Sequence, residues 1–179
     1  PPELRDIVGR PFDVSLGDFA RSTDWANFAA QNGDGDRWQD GMLKDSLQRQ
    51  VYDPMLAGAK TPQDKLSAQN KIDQLQKNYA GLLRQFNVAQ QQDPTVTADG
   101  WMAGDGGDVM AQAQENMRQE TLQEIKRLAA KGKSFAQIQR ELTIGPADLA
   151  GAEAEAALRQ GKFIAEQIKD AERAKALGE

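Results

Sequence analysis

Between residues 62 and 91 apolar side chains keep a strict rhythm. Ile72, Leu75, Tyr79, Leu82, Phe86 and Ala89 follow one another at steps of 3, 4, 3, 4 and 3, while Asp73, Gln74, Lys77, Asn78, Arg84 and Gln85 between them are polar. Such spacing puts one face of a helix against apolar neighbours, and it predicts a single long helix over 62–91 that either forms the seam of a coiled coil or long hairpin or packs inside one bundle. Its start is marked by Thr61-Pro62-Gln63-Asp64, an N-cap followed by a proline at the first helical position and an acidic residue in the first turn. Gly81, inside it, costs about 1 kcal/mol against alanine and marks a weak point or a close approach.

The same reading organises the rest of the chain. Residues 1–22, with Pro1, Pro2, Gly9, Pro11 and Gly17, suit an extended arm or a frayed terminus. A helical region over 23–91 then begins with a short helix behind Thr23, carrying Trp25, Phe28 and Ala29 and stopped by Asn32-Gly33. A second helix places Trp38, Met42, Leu43, Leu47 and Val51 near one face until Pro54 ends it. Residues 92–107, with Pro94 and four glycines, form a long loop in which Trp101 and Met102 are expected to plug into another surface. Over 108–179 a C-terminal helical region follows. It holds a helix from Asp108 to about Lys131 closed by Gly132, a capping box at Ser134 and Gln137, a helix start at Gly145-Pro146, and a charged tail. Around Phe163, Ile164, Ile168, Ala171 and Ala174 that tail carries one narrow apolar stripe. The expected fold is all-α, an extended helical bundle.

Composition sharpens the functional side. Only 6% of residues are aromatic, 39% are hydrophobic, and the mean hydropathy is −0.68. Folding must offset roughly 1–2 kcal/mol of backbone entropy per residue, so a thin core points to burial shared with other chains. Homo-oligomers or larger protein assemblies are therefore the expected partners. Ile72, Leu75, Tyr79, Leu82, Phe86, Trp101 and Met102 are the expected contact residues, and charges at Leu75 and Leu82 are expected to disrupt assembly rather than helicity. A net charge of −5 disfavours nucleic acid, whose affinity comes largely from Lys and Arg on phosphates.

The chain has no cysteine and no histidine. That removes thiolate nucleophiles, imidazole bases and the usual zinc sites, so neither an enzymatic centre nor a cofactor is expected. Glu115, Glu120 and Glu124 pair at helical spacing, but on a polar face where solvated charge is the ordinary role. No apolar run approaches the length of a membrane span. The opening Pro1-Pro2, without Met, reads as a processed end or the start of a fragment. Asn32, Asp34, Asp36 and Asp40 fall at positions 1, 3, 5 and 9 of a calcium-binding EF-hand loop. Position 6 is Arg37 rather than glycine and position 12 is Leu43 rather than glutamate, and a turn with helix-capping aspartates accounts for the same residues.

Two resemblances follow. Residues 137–149, Gln-Ile-Gln-Arg-Glu-Leu-Thr-Ile-Gly-Pro-Ala-Asp-Leu, resemble the helix-turn-helix of bacterial regulators, with Ile138, Leu142, Ile144, Pro146 and Leu149 at its core positions. The likeness covers about 134–158 and departs at Gln139, where alanine is usual, and at Thr143, where glycine is usual. The second helix offers Asp148, Glu153 and Glu155 where a DNA reader presents basic or amide side chains. In composition, with 20 glutamines, much Ala and Asp, and neither Cys nor His, the chain resembles internal or ejection proteins of bacteriophage particles. That resemblance implies a virion location, ring-like oligomers and a structural role in tail, core or genome delivery; otherwise a cytoplasmic location is expected. The alternative is a regulatory module whose 134–158 corner meets DNA or a transcription protein.

Overall fold

The computed structural model describes residues 35–178, and among these every regular element is helical. The all-α expectation holds. The expected arm at 1–22, the helix behind Thr23, and Asn32 and Asp34 lie outside the described residues. The described chain forms two compact units, one built from residues up to 50 together with 80–107, the other from 51–79 together with 108–178.

Helix α1 spans Gly35–Leu47 and runs into one wide π-helical stretch, Gln48–Tyr52, before α2, Asp53–Gly58. Pro54 therefore does not end the second helix as expected. It sits in the first turn of α2, where its missing N–H is no loss, and the widened turn just ahead accommodates it. Helix α3, Pro62–Gln76, starts where the sequence places it: Thr61 Oγ1 accepts the Asp64 N–H at 3.0 Å.

The long helix over 62–91 is interrupted. α3 stops at Gln76, tight bonds close the turn at Lys77 and Asn78, and α4, Tyr79–Gln92, begins anew. The break falls beside Asn78 and Gly81, two poor helix formers within four residues, so neither propensity nor hydrogen bonding holds the helix together there. The 3–4 rhythm survives the break: Ile72 and Leu75 on α3 and Leu82 and Phe86 on α4 are all buried. The longest helices among the described residues lie elsewhere, in α6, Asp105–Ala130, and α9, Ala152–Gly178.

The Gly-rich loop at 92–107 is likewise mostly structured. Thr97 caps a short helix α5, Ala98–Met102, by accepting the Gly100 N–H at 3.0 Å, and α6 begins at Asp105. In this first unit Leu43, Leu47, Leu82, Phe86, Ala98, Trp101 and Met102 are buried, with the Phe86 and Trp101 rings 5.3 Å apart. Arg49 Nη2 donates to Asp99 Oδ1 at 2.8 Å and to Asp45 at 2.9 Å, which pins α5 to the end of α1.

In the second unit Ile125, Leu128, Ala129, Ile138, Ile144, Ala157 and Leu158 form one core cluster, contributed by α6, by α7 (Phe135–Leu142), by the link into α8 (Pro146–Leu149), and by the first third of α9. Ser134 and Gln137 close the capping box of α7 in both directions, at 2.8 and 3.3 Å. The turn after α7 puts Thr143 in the left-handed region, φ 54°, where a β-branched residue is strained by about 1–2 kcal/mol. α6 and α9 approach closely at Gly161: a Cβ there would stand 2.5 Å from Ala129 Cβ and 2.6 Å from the Lys126 carbonyl oxygen.

Candidate functional site: a charged-rim groove and an uncovered helix

The expected contact residues, from the heptad rhythm and from the 92–107 loop, are largely interior. Ile72 and Leu75 are 3% exposed, Leu82 5%, Phe86 1%, Trp101 7% and Met102 3%, and Tyr79 is half-buried. Trp101 and Met102 do plug into an apolar surface, but it belongs to their own unit. A spacing of 3 and 4 reports that a helix face is covered and says nothing about which chain covers it.

The calcium reading fares differently. α1 begins at Gly35, so Asp36 and Asp40 lie on a helix rather than in a coordinating loop, and Asp40 pairs with Lys44 at 3.0 Å. No group of three or more acidic residues fit to hold a metal occurs among the described residues. Glu115 and Glu124 are each clamped by an arginine three residues on, Arg118 at 2.7 Å and Arg127 at 2.6 Å. Hydrogen bonds from Arg118, and then from Gln119, hold the Glu115 carboxyl down at about 2. A general acid at neutral pH needs a shift the other way.

The helix-turn-helix-like corner is anchored by a polar cluster that pattern reading missed. Asp148, in the first turn of α8, accepts from the Lys71 ammonium at 2.6 Å, the Ser67 hydroxyl at 2.7 Å and the Gly145 N–H at 2.9 Å. Reciprocally, Asp64 on α3 accepts the Ala147 N–H at 3.1 Å, and the Gln63 amide donates to the Ile144 carbonyl at 3.0 Å. Burial alone would raise the Asp148 pKa; the bonds from Lys71, Gly145 and Ser67 outweigh it, and the carboxyl stays below its ordinary 3.8. Gly145 is required by proximity: a Cβ would collide with the Asp64 carboxylate and lie 2.7 Å from its backbone nitrogen. From sequence, Asp64 and Asp148 carry only helix-start signals, and nothing local says that residues about eighty apart meet.

Beside this cluster lies an open groove of about 750 Å³, walled by α3, α6 and the 147–154 corner. Its apolar lining comes from Met55, Ala111, Met117, Leu122 and Ala154. Its rim is charged: Arg118 pairs with both Glu115 and Glu153, and Lys71 pairs with Asp148. Two carboxylates thus share one guanidinium.

The second uncovered feature is the end of α9. Ala154, Ala157, Leu158 and Gly161 are buried, whereas residues 166–178 are exposed throughout. Phe163 is 60% exposed, Ile168 49% and Leu177 88%. The narrow apolar stripe expected in the tail is therefore present and open to solvent. No helix among the described residues is long and apolar enough to cross a membrane. No protein family, no curated protein and no solved structure matches the chain.

Proposed function

We propose that this chain is a non-enzymatic assembly protein that works through helix–helix contacts in an oligomer, as a structural component of a virion. The observation that carries the reading is the end of α9, where residues 166–178 form about 20 Å of helix that is exposed among the described residues. An isolated helix of that length is marginal in water, and most helical stability in proteins comes from packing an apolar face. Ile164, Ile168 and Ala171, at steps of four and three, with Phe163 alongside, supply such a face. The virion setting rests on the compositional resemblance to phage internal proteins.

The competing reading makes the 134–158 corner a contact for DNA or a transcription protein. Its backbone favours the idea, with a left-handed turn at Thr143 ahead of a proline-started helix. Its charge does not, because the exposed carboxylates that follow it, Glu153 and Glu155, repel phosphates. Sedimentation equilibrium of the whole chain and of a chain ending at Ala165, each with and without duplex DNA, separates the two. Assembly is expected to need residues 166–179 and to ignore DNA; a monomeric full chain that shifts with DNA at low salt would overturn it.

A further inference from the structure

We draw no further inference here: the strongest candidate, the open groove walled by α3, α6 and the 147–154 corner, has its rim charges already paired with one another, and nothing in the structure shows what covers it.

Discussion

Two apolar stripes in this chain share nearly the same spacing and have opposite fates. The one running from Ile72 through Leu75 and Leu82 to Phe86 is almost fully buried inside the chain, whereas the one through Ile164, Ile168 and Ala171 opens to solvent, with Ile168 49% exposed. The difference lies in what surrounds each stripe. The first has partners supplied by segments distant in sequence, such as Trp101 against Phe86, while the second continues past the last buried position of α9, Gly161, into solvent. Periodicity therefore identifies a face that wants covering. Only the fold shows which faces the chain covers for itself.

Phe86→Ala should have the largest effect: with the side chain 1% exposed and its ring tilted against Trp101, its removal should cost about 3–5 kcal/mol in chemical denaturation. A loss below about 1 kcal/mol would mean that this stripe is not core. By the same reasoning Leu75→Asp and Leu82→Asp are expected to unfold their units rather than merely dissociate an assembly, contrary to the reading from spacing alone.

Gly145→Ala comes next, at about 2–3 kcal/mol, because the new methyl meets Asp64 and its backbone and must push the 143–149 corner off α3. Thermal unfolding measures it. An unchanged midpoint would show that the Asp64–Asp148 cluster does not hold the corner.

Asp148→Asn is expected to matter through pH. The folded-state pKa of Asp148 lies below 3.8, so its ionised form is favoured by folding; that stability is complete above pH 3.8 and disappears as pH falls through the lower folded value. The variant lacks this contribution at neutral pH and should therefore lose less on acidification. Urea unfolding of both chains at pH 7 and in the acid range should show their stabilities converging; a constant gap would contradict the assignment.

The smallest expected effect on stability is that of Ile168→Asp, within about 0.5 kcal/mol, because the residue lies on an uncovered helix. Its effect on assembly should be large. A substitution that unfolds the chain here would erase the contrast between the two stripes.

Much of the fold was legible in the residues. Thr61-Pro62, Ser134 with Gln137, and Gly132 at φ 81° mark helix ends correctly because capping is local chemistry. The all-α class follows from the same local preferences. What failed were features decided by tertiary packing. Pro54 was absorbed by a π turn, the helix over 62–91 broke near Asn78, and residues 92–107 folded because Trp101 and Met102 found a core. The candidate site divides the same way. The tail stripe is visible in sequence, whereas the groove and the Asp64–Asp148 anchor join segments too far apart for any local pattern to announce.

The central claim is that the end of α9 is covered by another chain while the earlier stripe is covered by its own. Amide hydrogen exchange of the whole protein over a concentration series tests this directly. Residues 166–178 should exchange fast when dilute and become protected as concentration rises, while residues 82–86 stay equally protected throughout. Exchange at 166–178 that does not respond to concentration would contradict the account.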